Sequence, residues 1–237
     1  MDDGLYFKQL LSGQDFATKN LFAHQMVNHS YCIGDTQTKD AVLVDPAYDV
    51  ASILARLRED EMNLVGIILT HYHADHAGGT IAGNDIAGSA QLLELVDVPV
   101  HVQQAEVEFL GLAAGLTPSQ LEVHDSGGKV QVGKYEIDLI HTPGHTPGSQ
   151  CLLVENRLLS GDTLFLHGCG RTDLPGGDPT ELYYTLTHRL AKVGDAVELF
   201  PGHHYSAEFS SSMATTRREN SVFRPNSAEE WVAAFAS

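Results

Sequence analysis

Short apolar runs, bounded by acids, glycines and prolines, alternate along the chain with a few segments of helical periodicity. "AVLVD" (41–45) is short and β-branched, which predicts a buried strand. "DVASILARLREDE" (49–61) carries Val50, Ile53, Leu54 and Leu57 at helical spacing, with Asp49 placed as an N-cap. "LVGIILT" (64–70) is again a strand, and this strand–helix–strand order predicts a sheet covered by helices. Further on, the pattern predicts a weaker helical region around 80–95 and a strand at "VPVHV". A helix over "QQAEVEFLGLAAGL" should end near Thr117-Pro118. "GGKVQVGKYEIDLIHT" reads as a hairpin about Gly133, and "QCLLVENRLLSGD" as a second with Asn156 near its turn. "DPTELYYTLTHRLAKV" (178–193) predicts a helix with Pro179 in its first turn. "AVELFPGHH" is a last short strand running into a loop. "SAEEWVAAFAS" is an amphipathic helix opened by a Ser227-x-x-Glu230 capping box. No linker rich in Pro, Gly or Ser interrupts the pattern and no repeat keeps a clean period. One domain over 1–237, with a short helical tail, is expected.

Composition narrows the function classes. The chain has 237 residues, 43% hydrophobic and 19% charged, enough apolar material for a sizeable core. "MDDGLYFKQL" has no basic n-region and no long apolar run, so no signal peptide is expected, and no stretch has the length of a membrane span. The three cysteines (Cys32, Cys151, Cys169) form no CxxC pair, which fits a reducing, cytoplasmic setting better than a disulfide framework. A formal net charge of −17 works against binding phosphate backbones, so nucleic acid is not the expected partner. A small-molecule substrate is left, with no membrane partner; a homo-oligomer stays open.

The densest chemistry is "LTHYHADHAGG" (69–79), which crowds His71, His73, Asp75 and His76 at the end of a strand. On a helix, positions two apart diverge, and on a strand the tips run in a line. A turn just past a strand end is what gathers such side chains round a small volume, and Gly78 and Gly79 suit it. The same grammar of short apolar strand, tight turn and ligand recurs at His145 in "HTPGHTPGS", Asp162 in "LLSGDTLF" and His203 in "LFPGHHY". Seven ligands exceed one tetrahedral ion and divide into two sites sharing a carboxylate. Neutral imidazoles and carboxylates suit zinc, and also iron or manganese.

Taken in order, "THYHADHAGG", "HTPGHTPGS", "GDTLF" and "PGHH" resemble the metallo-β-lactamase superfamily. The resemblance implies an α/β fold, a four-layer αββα sandwich with the metal site at one edge of its two sheets. Carried over by position, His71, His73 and His145 look like ligands of one divalent metal ion. Asp75, His76 and His203 look like ligands of a second, and Asp162 like the bridge. "GDTLFLHGCGRTDLPGGDP" is similar to the glyoxalase II-like and persulfide dioxygenase-like branch. In glyoxalase II, residues matching Arg171 and Tyr205 contact the glutathione part of the substrate. Two features depart from that pattern: the long C-terminal helical domain of larger glyoxalases II is mostly missing, and "ENSVFRP" replaces an "NPFLR"-like ending.

The implied chemistry is hydrolysis of a small thioester or ester. Two cations about 3.5–4 Å apart lower the pKa of water to about 7 and make a bridging hydroxide available. Asp75 is placed to accept a proton, or only to ligate. Arg171 either pairs with a substrate carboxylate or fixes its loop through Asp173. The competing reading is an iron-dependent persulfide dioxygenase-like oxidoreductase, which would use one iron on residues matching His71, His145 and Asp162; such relatives commonly carry "PAHD" where this chain has "PGHH". His141, His167 and His204 read as supporting or surface groups, Cys169 as a packing thiol, and Arg217 and Arg218 as a solvated helix face.

Overall fold

The computed structural model describes residues 4–235. The first sheet starts with β1 (Leu5–Leu11), β2 (His29–Asp35), β3 (Asp40–Val44) and β4 (Asn63–Ile68). A separate hairpin follows, β5 (Gly79–Ile81) and β6 (Asn84–Ile86), before β7 (Val100–Gln103) and β8 (Leu121–His124) complete the sheet in the order β1-β2-β3-β4-β7-β8. The second sheet takes β9 (Lys129–Val132), β10 (Tyr135–His141), β11 (Gln150–Val154), β12 (Arg157–Gly161), β13 (Glu198–Pro201) and β14 (Ser211–Ser212), ordered β14 to β9.

Period-two alternation sorts the strand residues into layers. Ile33, Val42, Val44 and Ile68 point inward from the first sheet and meet Val132, Ile137, Leu152 and Leu159 of the second. Their neighbours Cys32, Leu43 and Ile67 point outward. They pack under α1 (Leu21–Met26), α2 (Val50–Glu59), α3 (Ala74–Ala77), α4 (Ser89–Leu93) and α5 (Val107–Ala113), through residues such as Ala23, Ile53, Leu57, Ala77, Leu92 and Leu110. On the far side Cys151, Leu158 and Leu199 face α6 (Pro179–Tyr184), α7 (Met213–Glu219) and α8 (Ala228–Phe235) through Leu182, Met213 and the fully buried Trp231. Three apolar seams between four layers make the expected αββα sandwich. Among the described residues no helix is long and apolar enough to cross a membrane.

Several elements differ from the periodicity. The region 80–95 opens as the β5–β6 hairpin, because Ala82 (φ 49°) and Gly83 (φ 78°) both take positive φ and make a tight two-residue turn; only Ser89–Leu93 is helical. The helix expected over 178–193 is α-helical only to Tyr184. It widens to a π turn over Thr185–Arg189 and tightens to a 3₁₀ turn over Leu190–Lys192. Two side-chain bonds accompany the change: the Thr185 hydroxyl donates to the distant Pro143 carbonyl (2.7 Å) and that of Thr187 to the Tyr183 carbonyl (2.7 Å), pulling the turns off a regular ladder. Arg217 is not a solvated group. It donates to the carbonyls of Leu190 (2.8 Å) and Val193 (2.6 Å) and pairs with Asp195, clamping α7 onto that irregular end. Arg218 is exposed and pairs with Glu219. The tail helix forms as α8; the last two positions of "SAEEWVAAFAS" lie outside the described residues.

Candidate metal centre

All seven predicted side chains converge at one rim of the sandwich, each delivered by a segment that leaves the end of a strand. β4 ends at Ile68, and the chain runs through Leu69 and Thr70 to His71 and His73 before the single turn of α3 presents Asp75 and His76. The glycines serve this turn as expected, both at positive φ and both closely approached by backbone. Gly78 (φ 95°) closes α3, and a Cβ there would stand 2.7 Å from the Gly88 backbone. The loop after β10 brings His145, held between the Thr142 amide bonded to the Ser149 carbonyl (2.7 Å) and the Gly144 turn. Asp162 follows β12 and His203 follows β13, a parallel neighbour pair. At Gly202 a Cβ would lie 2.5 Å from Asp162 Oδ1, so the bare backbone is what lets the two tips close.

The donors form two sets with Asp162 between them. Ligand atoms of His71, His73 and His145 all lie within 4.8 Å of one another, and so do those of Asp75, His76 and His203. Asp162 Oδ1 is 3.3 Å from His76 Nε2, while its Oδ2 is 3.3 Å from His203 Nε2 and 3.7 Å from His145 Nε2. Asp75 Oδ2 stands 3.4 Å from His203 Nε2 and 3.6 Å from His76 Nε2. The Nε2 atoms of His71, His73 and His145 are buried with no hydrogen-bond partner. An orphaned buried polar atom costs roughly 1–3 kcal/mol, so three aimed at one point fit a cation and fit nothing in the protein itself.

Charge is distributed unevenly. Burial, reinforced by neighbouring imidazoles, pushes His71 well below the usual histidine range, and burial with His145 beside it takes His73 down to about 3. Burial likewise lowers His145. Burial also opposes a charge on His76 and His203, but the carboxylates of Asp162 and Asp75 outweigh it and raise both. Asp162 is held well below the carboxylate range, because His203 and His76 outweigh its burial. Neutral imidazoles and ionised carboxylates are the ligating forms.

Residues the sequence did not single out hold these donors. Asp45, at the tip of β3, accepts from the Thr70 amide (2.7 Å) and hydroxyl (2.6 Å) and contacts His76 Nδ1 (3.0 Å); Thr70 Oγ1 in turn touches His71 Nδ1 (3.0 Å). Asp45 is buried and takes positive φ (49°), a strained conformation paid for by these bonds. Asn28 Nδ2 donates to Asp75 Oδ2 (3.0 Å), while its carbonyl accepts from Tyr48 (2.9 Å). Glu106 anchors the His145 loop, accepting from Thr146 Oγ1 (2.7 Å) and the Gly148 amide (2.6 Å). His145 Nδ1 and His203 Nδ1 donate to the carbonyls of Arg171 (2.6 Å) and Met26 (2.7 Å), which turns each Nε2 inward.

A cavity of about 640 Å³ opens over the centre, lined by Tyr72, Ile81, Phe165 and Leu174 and, of the donors, by His73, Asp75, His145, Asp162 and His203. Tyr205 lies on its wall, stacked flat on the His203 ring (4.7 Å, 9°). Arg171 also lines it, but its guanidinium is held bidentately by Asp173 (2.6 and 2.5 Å). Cys169 lines it too, with its thiol pushed up to about 12 by burial, so no ready thiolate exists. His141 donates to the Pro147 carbonyl (2.8 Å) and His204 stacks on Phe209; neither joins the donors.

Residues 26–203 match the family model described as the metallo-beta-lactamase superfamily. The chain is similar to the probable polyketide biosynthesis zinc-dependent hydrolase BaeB of Bacillus velezensis, 28% identical over 88% of each chain. It is 32% identical to the probable hydroxyacylglutathione hydrolase glo2 of Schizosaccharomyces pombe, over 80% of this chain and 70% of that protein. Among solved structures, ETHE1 from Myxococcus xanthus superposes with a TM-score of 0.77 at 29% identity, covering 96% of this chain and 88% of that one. Fold, motif order and rim geometry agree with this match: the chain belongs to the metallo-β-lactamase superfamily, in its glyoxalase II-like and persulfide dioxygenase-like branch.

Proposed function

We propose that the chain is a dinuclear metal-dependent hydrolase of a small thioester or ester. The observation that carries this reading is the second donor set. Asp75, His76 and His203 are complete, buried and joined through Asp162 to the three-imidazole set. His71, His73 and His145 would hold one divalent ion, Asp75, His76 and His203 the other, and Asp162 would touch both. Zinc is the proposed metal, consistent with the donor chemistry and with the zinc-dependent hydrolase named among the relatives; iron and manganese suit the same donors. When bound, such a pair supplies a nucleophilic hydroxide at neutral pH and a Lewis acid for a carbonyl oxygen.

The chain's own groups do the rest. Asp75, lining the cavity and fixed by Asn28, takes the proton released as the new C–O bond forms. The C–S bond then breaks to a thiolate, whose conjugate acid has a pKa of about 8.5 for a simple thiol, so no protein acid is needed at the leaving group. The walls favour an apolar acyl part. Tyr72, Ile81, Phe165 and Leu174 line the cavity, and the guanidinium on its wall, Arg171, is occupied by Asp173. Tyr205 offers a flat face to the substrate.

The competing persulfide dioxygenase-like reading needs only His71, His145 and Asp162 and leaves the second set without a task. One assay separates them: metal analysis of the purified protein, with turnover measured on S-lactoylglutathione, on a short acyl thioester, and as oxygen uptake with glutathione persulfide. The hydrolase reading expects two ions at the rim and thioester turnover, with the acyl thioester preferred. A single iron with oxygen uptake would overturn it.

A further inference from the structure

A second cluster of metal-type side chains lies away from the rim, on the free edge of the first sheet. β7 and β8 run parallel, with His101 opposite Glu122 and Gln103 opposite His124. Register partners in a parallel pair share a face, and so do positions two apart on one strand. His101, Glu122 and His124 therefore project from the same face. It is the inter-sheet face, because the intervening Val100 and Val102 belong to the helix-covered core. β8 is the edge strand, so the cluster sits where the sandwich opens to solvent.

We infer that His101, Glu122 and His124 form a separate site for a divalent transition-metal ion of the zinc class, which ties edge strand β8 to β7. Their donor atoms face one another: His101 Nδ1 is 3.0 Å from His124 Nε2 and 3.7 Å from Glu122 Oε2, and His124 Nε2 is 4.0 Å from Glu122 Oε1. Zinc–nitrogen bonds of about 2.0–2.1 Å at the tetrahedral angle put neighbouring donors about 3.3–3.4 Å apart, and the three separations straddle that value. The two rings also have space made for them. A Cβ on Gly66 would stand 3.1 Å from His101 Nε2, and one on Gly128 would stand 2.9 Å from His124 Cβ. His101 is buried, so its ring is held in place between the two sheets. Glu122 is exposed, so the site is reached from solvent. The site shares no residue with the rim centre.

The test reads bound ions rather than activity. Protein stripped with a chelator is titrated with Zn²⁺ against a chromophoric competitor, in wild type, His124→Ala and Glu122→Ala. Both variants change partly or largely exposed side chains, and their folding is checked by circular dichroism. The site predicts that wild type binds one equivalent more than His124→Ala, that Glu122→Ala weakens that equivalent about tenfold or more, and that turnover is the same in all three. Co²⁺ in place of Zn²⁺ should give a visible absorption band present in wild type and missing from His124→Ala. Equal stoichiometry and equal Co²⁺ spectra would overturn the inference and leave the pair as a hydrogen bond between two rings. Because the readout is a difference between wild type and variant, it stands whether or not the hydrolase reading does.

Discussion

The two halves of the rim centre use similar side chains but satisfy them in opposite ways. His71, His73 and His145 meet as three imidazoles with no carboxylate of their own, and every Nε2 is left without a partner. Asp75, His76 and His203 partner one another, with His76 Nε2 3.2 Å from His203 Nε2 and Asn28 within reach of the carboxylate. Burial accordingly drives the first three imidazoles toward neutrality, while acids hold His76 and His203 toward the charged form. The first half is thus an arrangement suited to a cation and met by nothing in the protein itself, whereas the donors of the second, equally placed for an ion, also bond to one another. Supports differ in the same sense: Asp45 reaches both halves, through Thr70 to His71 and directly to His76, while Asn28 serves the second alone.

The sharpest way to erase this contrast is Asp162→Ala, because Asp162 is the one donor between the halves. Loss of several kcal/mol of transition-state stabilisation corresponds to a fall in kcat/KM of about 10³-fold or more, with ions lost from both halves in elemental analysis. Asp45→Ala comes next, expected to lower metal affinity about 10–100-fold, measured by competition with a chelator. Both ions should weaken together; weakening of one alone would mean that Thr70 does not carry the effect to His71. Asn28→Ala should be smaller, about tenfold on one ion, with the three-imidazole half unaffected. Arg171→Ala should do least, about twofold or less in KM, since the lost interaction is an exposed pair with Asp173 and the backbone carbonyl that orients His145 remains. A tenfold rise in KM would instead show that Arg171 leaves Asp173 to hold a substrate anion.

The ordering of these effects follows what could be read along the chain. The seven donors were legible because each sits in the turn segment that follows an apolar strand, from one residue past it at Asp162 to eight at His76, so a local pattern reports a shared rim. Asp45 and Asn28 were not: each acts on a residue 31 to 47 positions away, and an isolated acid or amide at a strand end looks like any turn residue. Glu106 reads as part of an amphipathic helix, and only the approach of the 146–148 loop makes it an anchor. The layers were legible from β-branched runs, but the β5–β6 hairpin was not, because Ala82 adopts a positive φ that its residue type does not advertise. The broken helix after Tyr184 depends on Thr185 reaching the Pro143 carbonyl, a contact 42 residues distant. Arg171 was left between two roles, and geometry gives its side chain to Asp173.

The central claim is that strand tips from both sheets gather these donors into a paired-ion centre. The direct measurement is a crystal structure of protein incubated with Zn²⁺, with anomalous scattering recorded on both sides of the zinc edge. The account predicts two anomalous peaks at the rim. One should lie about 2.0–2.1 Å from Nε2 of His71, His73 and His145, the other at that distance from Nε2 of His76 and His203, with Asp162 contacting both. A rim without anomalous density at saturating metal, or a single peak with Asp75, His76 and His203 still bonded to one another, would contradict it.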